Sequence, residues 1–275
     1  MRPVFYLLLS VLIASFSGIL VKLSSLSPET IAFYRVLIAS LLFFLIAKKH
    51  KVFPLWDEIF TIAAGFFLAM HFRFWIAAFD HTTVAGAVIP LTLQPVVTNL
   101  LSYLLYREKL TPYQIAMGSV VVLGVLISAL GDGKSLDVAE GDWMAITGTL
   151  FLCGYLVLGR KLNQKMGSLT FSMKTHVIAS IVLFTLSFPS FEIVPMREWF
   201  ILIALGAGCS FLGYLLINLS LKSFPSGIVS MALVGESSLA ILWAHLLLGE
   251  IIRIFQVAGF VISTIGLALF LLIKA

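Results

Sequence analysis

The sequence predicts an all-α integral membrane protein of about ten transmembrane helices, arranged as two inverted five-helix repeats. Three observations predict it: the composition, the spacing of the apolar runs and a long-range internal match. Sixty per cent of the 275 residues are hydrophobic and only 11% are charged, with a mean hydropathy of +1.09. A soluble domain is nearer a quarter charged, because its surface must face water. A chain this poor in charge turns most of its surface to lipid. At roughly twenty residues per bilayer crossing, its length leaves room for about ten crossings and little else.

Read against their breakers, the apolar runs fall at 4–24, 29–47, 58–79, 83–106, 112–131, 142–161, 168–188, 198–221, 225–249 and 253–273. The first begins at Val4 and is too long for the core of a secretory signal, with no small-residue cleavage site before a soluble chain, so it is read as a helix. Ser27-Pro28-Glu29 opens the second, with proline in the first turn and glutamate near the positive end of the helix dipole. Thr111-Pro112 opens the fifth and Phe224-Pro225 the ninth. Gly131-Asp132-Gly133-Lys134 ends the fifth and begins the central loop. Cys153 and Cys209 both lie inside apolar runs, where a thiol behaves as a small hydrophobe, so neither a disulfide nor a metal site is expected.

Lysine and arginine in the short loops set the orientation. With the N-terminus inside, the cytoplasmic positions are Arg2, Lys48, Lys49, Lys51, Arg107, Lys109, Arg160, Lys161, Lys165, Lys222 and Lys274, against Lys22, Lys134, Arg197 and Arg253 outside. Both termini are therefore expected in the cytoplasm of a multi-pass protein of the cell membrane. The central loop, with Asp132, Asp137, Glu140 and Asp142, is expected outside. The net charge of +5 is spread over these loops, which is a topology signal and no nucleic-acid footprint.

Shifted by 142 residues, the stretch from Thr83 to Leu130 lies on Pro225 to Leu272 without a gap. Leu91, Leu100, Glu108, Gln114, Ala116 and Gly124 then meet Leu233, Leu242, Glu250, Gln256, Ala258 and Gly266. A shift of 140 lays Ile38-Ala39-Ser40 on Ile178-Ala179-Ser180. Leucine matches between apolar helices carry little, but the Glu-then-Gln match just past an apolar helix is specific. Residues 1–136 and 137–275 thus read as two copies within one membrane domain. Because five helices is an odd number, the second copy enters the membrane from the opposite side, the arrangement that supports alternating access around a midplane site.

Over nearly its whole length the chain resembles the EamA type of the drug/metabolite transporter superfamily. The resemblance rests on the two five-helix halves, Arg35 early in the second helix, and His71-Phe72-Arg73-Phe74-Trp75 leading to Thr83-Val84-Ala85. It rests also on Gln94-Pro95 with Glu108, and on Gly235-Glu236-Ser237 with Gly249-Glu250. Members of that family carry Glu-Pro where this chain has Glu236-Ser237, and Arg73 is unusual in their third helix. The resemblance implies an inner-membrane carrier for small metabolites, commonly an exporter of amino acids, with the third, fourth, eighth and ninth helices around a central cavity.

Ionisable groups in the hydrocarbon region are costly unless paired or hydrated, so they are the natural candidates for the transport pathway. Glu236 falls near the middle of the ninth helix, where its alternatives are a cavity carboxylate or a protonated group bonded for packing. Gln94 is its partner under the 142 shift and serves either the cavity or an interhelical amide bond. Arg35 and Arg73 lie about 10 Å from the outer ends of their helices by helical rise. Each either lines the cavity or snorkels outward, and Asp80, two turns beyond Arg73, offers the latter a partner. His71 and Trp75 share one face of the third helix, as packing groups or as a titrating group beside an aromatic wall. Tyr214 and Asn218 share a face of the eighth, lining the inner pathway or bonding neighbouring helices. Lys174, in the inner half of the seventh helix near His176, is expected to reach the cytoplasmic surface.

The sequence holds no phosphate-binding loop, metal-ligand spacing or nucleophile–base cluster, so no cofactor, no metal and no enzymatic activity are expected. The expected partners are a small-molecule substrate and the bilayer, with protons as a candidate coupling ion. A membrane enzyme acting on lipid would bring acidic or histidine clusters to the surface, and the short loops hold none. A channel would not need the saturable exchange that inverted repeats permit.

Overall fold

The computed structural model describes residues 2–47, 52–82, 84–130, 140–188, 192–249 and 254–272. Within them the chain makes ten helical passes. They are α1 (Arg2–Leu23), α2 (Pro28–Ile46), α3 (Leu55–His81), α4 (84–106), α5 (Pro112–Leu130), α6 (Glu140–Met166), α7 (Ser168–Ser187), α8 (Glu198–Ser223), α9 (Ser226–Leu248) and α10 (Ile254–Leu272). Seven of them, α1–α3 and α6–α9, are stretches long and apolar enough to cross a membrane. The protein is therefore an integral, multi-pass membrane protein.

Local chemistry explains the ends. Ser27 caps α2 with Pro28 and Glu29 in its first turn. At α5, Thr111 Oγ1 accepts from Gln114 N (3.2 Å) and Gln114 Oε1 accepts from Thr111 N (3.0 Å), a reciprocal capping box. The ninth helix starts one residue later than Pro225, which serves as its cap. Two helices outrun their hydropathy. α6 continues past residue 161 to Met166, and α3 covers 55–81 rather than 58–79. Hydropathy stops at the first charges, whereas backbone bonding continues while those charges find partners: Lys165 Nζ donates to Asp57 Oδ1 at 2.6 Å, and Lys174 pairs with Glu58. The expected central loop at 131–139, together with His50 and Glu250, lies outside the described residues.

Four passes are broken at mid-depth. α1 loosens at 15–16. α4 passes through a 3₁₀ stretch, Ile89–Leu93, with Pro90 inside it and Pro95 two residues past its end, each of which removes a backbone donor. α8 widens into a π-helical stretch, Ala204–Gly213, and α9 breaks at Val234. Such discontinuous helices leave backbone groups and helix ends in the membrane interior, where solute sites form.

The internal repeat is visible in the backbone. α4 ends on left-handed Arg107 (φ 58°) and α9 on left-handed Gly249 (φ 71°), which are equivalent positions under the 142 shift. The break at Val234 falls on Thr92, inside the 3₁₀ stretch. Contacts are reciprocal too. A Cβ at Gly65 of α3 would lie 2.7 Å from Ile178 Cβ in α7, and one at Gly206 of α8, 141 residues on, would lie 2.6 Å from Ile38 Cβ in α2, the counterpart of Ile178 under the 140 shift. The halves interleave: α3 packs along α6 and α7, while α8 packs along α1 and α2. α5 and α10 pack against each other at the side.

Candidate functional site

Between the α3–α6–α7 set and the α1–α2–α8 set lies a cavity of about 30 Å³, walled by Ser17, Arg35, His71, Phe72, Trp75, Cys209, Tyr214 and Glu236, with Ala14, Leu91, Leu152, Ile217 and Leu233. It has room for a water or two, far less than the several hundred Å³ of a typical solute site.

Glu236 reaches the cavity because α9 breaks two residues before it. The break at Val234 starts a fresh helix at Gly235, with Glu236 in its first turn, at the positive end of the helix dipole. Its side chain makes no hydrogen bond or ion pair with another described residue, and its carboxylate keeps surface open to the cavity. Arg35 faces it from α2 and is 1% exposed. Arg35 Nε donates to Ser210 Oγ and Nη1 to Ser17 Oγ, both at 3.0 Å, and the guanidinium carbon lies 4.3 Å from the Phe72 ring centroid. Three helices thus fix this cation. Gly206 permits it, because any side chain there would push α8 off Ile38 and the Arg35 carbonyl.

α3 supplies the aromatic wall. His71 Nδ1 lies 3.0 Å from Gly148 O, and since a carbonyl only accepts, Nδ1 carries the proton and Nε2 is left as an acceptor. Trp75 stacks on His71 at 5.9 Å, and its buried Nε1–H has no partner. Tyr214 closes the cavity toward the Met166 end of α6, its ring against Phe72 (5.4 Å), His176 (5.5 Å) and Tyr155 (5.7 Å).

Of the residues singled out in the sequence, Glu236, Arg35, His71, Trp75 and Tyr214 meet at this cavity. Gln94, Arg73 and Asn218 do not. Gln94 is 1% exposed, its carboxamide oxygen unbonded, and α4 presents Leu91 to the cavity instead. Both halves line the cavity through pairs equivalent under the 142 shift, Phe72 with Tyr214, Trp75 with Ile217 and Leu91 with Leu233, but the charged groups are one-sided: Glu236 lines it without its counterpart Gln94, and Arg35 without Thr175, its counterpart under the 140 shift. Arg73 is half-buried on the opposite side of α3 from His71, in line with exposed Ile62 and Phe66, and makes no ion pair with Asp80. Asn218 is the hub of a buried polar cluster. Its Nδ2 donates to Tyr155 OH (2.7 Å) and Ser172 Oγ (2.8 Å), its Oδ1 accepts from Asn163 Nδ2 (3.1 Å), and its carbonyl accepts from Ser168 Oγ (2.9 Å). Sequence reasoning missed Ser17, Ser210 and Phe72 as the groups that hold Arg35. The two serines show in the sequence only as hydroxyls within apolar runs, a feature shared with many serines that merely bond their own helix, and Phe72 as one aromatic among many.

Comparison with known proteins agrees with this architecture. A family model described as the EamA-like transporter family matches residues 1–130 and 139–272. The chain is 26% identical over 216 residues to the uncharacterized transporter YxxF of Bacillus subtilis (strain 168), covering 78% of this chain and 70% of that one. It is 27% identical over 219 residues to the uncharacterized transporter YyaM of the same strain, covering 76% and 68%. A crystal structure of a protein only 15% identical superposes with a TM-score of 0.82 over 98% of this chain and 96% of its own, a likeness of fold.

Proposed function

The chain belongs to the EamA-like transporter family, and from that premise we propose that it is a secondary carrier for small zwitterionic metabolites, amino acids foremost. A single observation carries the reading. Arg35 and Glu236, opposite in charge, line one cavity and are not joined in an ion pair. An empty site in which the two neutralised each other would have to be split by substrate. Here the guanidinium is held by serines and an aromatic face, and the carboxylate is left open. A solute carrying both charges satisfies both walls at once, its carboxylate toward Arg35 and its amine toward Glu236. The unbonded Trp75 Nε1–H is a further donor beside the carboxylate, and His71 Nε2 a further acceptor beside the amine. A simple anion or cation would leave one buried charge unanswered.

The cavity is too small for an amino acid, so the walls must part to admit one, as alternating access requires. The reciprocal contacts of the two halves, 1–136 and 137–275, support an inverted repeat as the source of the two openings. The lysine and arginine distribution supports a cytoplasmic Arg2 end, the family resemblance favours export, and Glu236 offers a site for a coupling proton. Counterflow in proteoliposomes with labelled amino acids, simple carboxylates and simple amines tests the reading. Exchange confined to zwitterions is the expected result; exchange of amines alone, insensitive to Arg35→Gln, refutes it.

A further inference from the structure

Helices end with carbonyls that have no partner inside the helix, and in a membrane those carbonyls need donors. At two places in this protein the donor is a basic side chain from the opposing helix set. Lys22 of α1 donates to the carbonyl of Phe79, in the last turn of α3. Arg160 of α6 donates through Nη1 to the carbonyls of Leu221 (2.8 Å) and Lys222 (3.1 Å), in the last turn of α8. Phe79 and Leu221 are equivalent under the 142 shift. Beside each latch sits a glycine against the same residue: a Cβ at Gly18 would lie 3.0 Å from Phe79 Cζ, and one at Gly159 would lie 3.2 Å from Leu221 Cδ1. The donors sit differently, Lys22 four residues beyond its glycine and Arg160 one residue beyond, but the acceptors are equivalent and the two contacts lie at opposite ends of the bundle, because α1 and α6 run toward opposite ends. Both cross the boundary between the α1–α2–α8 and α3–α6–α7 sets, which is the boundary that holds the cavity.

We propose that Lys22 and Arg160 are the two gate latches of the carrier, each closing one end of the pathway by capping helix-terminal carbonyls across the cavity, and that they release in alternation. Both are engaged here, which accounts for a cavity sealed down to about 30 Å³. The latches are unequal. Lys22 is exposed and makes a single bond, whereas Arg160 is also paired with Glu108 at the end of α4, Nε to Oε1 at 3.0 Å, and is backed by the Asn218 cluster. The empty carrier therefore opens more readily at the Lys22 end. The proposal rests on the carrier reading but on no particular substrate or orientation.

Cys209 on the cavity wall is a native reporter. With Cys153→Ala as parent, a small charged methanethiosulfonate reagent is applied to right-side-out and to inside-out vesicles without substrate. Lys22→Met should raise Cys209 modification at least about tenfold from one face only, the loss of one charge-assisted bond. Arg160→Met should do the same from the other face only. The parent should react faster from the Lys22 face than from the Arg160 face. Lys22→Arg and Arg160→Lys should stay near the parent. If Arg160→Met leaves Glu108 unpaired and the protein unfolds, the double variant Arg160→Met/Glu108→Gln removes that buried charge and is read instead. Unchanged modification, or an equal rise from both faces for either variant in folded protein, overturns the proposal. Since no solute is present, that failure is separate from a failure to exchange amino acids.

Discussion

Replacing Glu236 with glutamine removes one charge, keeps the side chain's size, and separates a transport role from a packing role. The carboxylate has no hydrogen-bond or ion-pair partner among the described residues, so its removal breaks no protein contact. Its burial near the midplane of α9 is unfavourable in itself, since a charge at the membrane centre costs about 2.5–3.5 kcal/mol on insertion scales. The fold should therefore be unchanged or slightly more stable, with a Tm in detergent at or above that of the native protein. Transport should behave in the opposite way. A charge-assisted bond to a substrate amine contributes about 1.5–3 kcal/mol, so counterflow at low substrate should fall about ten- to a hundredfold. Glu236→Asp, one methylene shorter, should keep part of the activity. The two assays, thermal unfolding of the purified protein and counterflow of a labelled amino acid in proteoliposomes, are read on one preparation. Native transport with a lowered Tm would mean that the glutamate only packs, and would refute the assignment of the cavity as the solute site.

Gln94→Met should leave counterflow intact, because Gln94 does not line the cavity and its carboxamide oxygen is already unbonded; a loss as large as that of Glu236→Gln would show that both equivalent positions serve the pathway. Asn218→Ala strands Tyr155 OH and Ser172 Oγ in the interior and should lower stability by about 2–3 kcal/mol, read as a drop in the detergent unfolding midpoint. Gly206→Val drives a side chain into Ile38 and should cost about 1–3 kcal/mol, whereas Gly208→Ala, with nothing within 4 Å of the added carbon, should be tolerated. For topology, with both native cysteines replaced, Ser135→Cys should react with an impermeant thiol reagent from outside and His50→Cys only from inside; labelling of both from one face would refute the orientation.

Much of the architecture can be read from the sequence, because lipid imposes it one segment at a time. A backbone in hydrocarbon must satisfy its own hydrogen bonds, so each apolar run of sufficient length becomes a helix. That is why the ten runs coincide with ten helical passes, and why the largest differences at the ends come where α3 and α6 continue into charged residues that find partners across the bundle. The 142-residue register is equally legible, and it reappears in the left-handed caps Arg107 and Gly249. Glu236 announces itself because a carboxylate in the middle of an apolar run has few uses.

The sequence could not say which way each helix faces. In a soluble protein the buried face is apolar and the exposed face polar, so periodicity fixes the orientation. In a membrane both faces are apolar, and Arg73, on the lipid side of α3, looks no different in sequence from Arg35, 1% exposed against Phe72. Nor does a repeat register reveal which of two equivalent positions is open. Gln94 and Glu236 correspond, yet only Glu236 meets the cavity, although both members of the equivalent pairs Phe72 and Tyr214, Trp75 and Ile217, and Leu91 and Leu233 do. Only tertiary packing decides that. It sets the approach of α8 to α2 at Gly206 and the two serines that hold a buried cation in place.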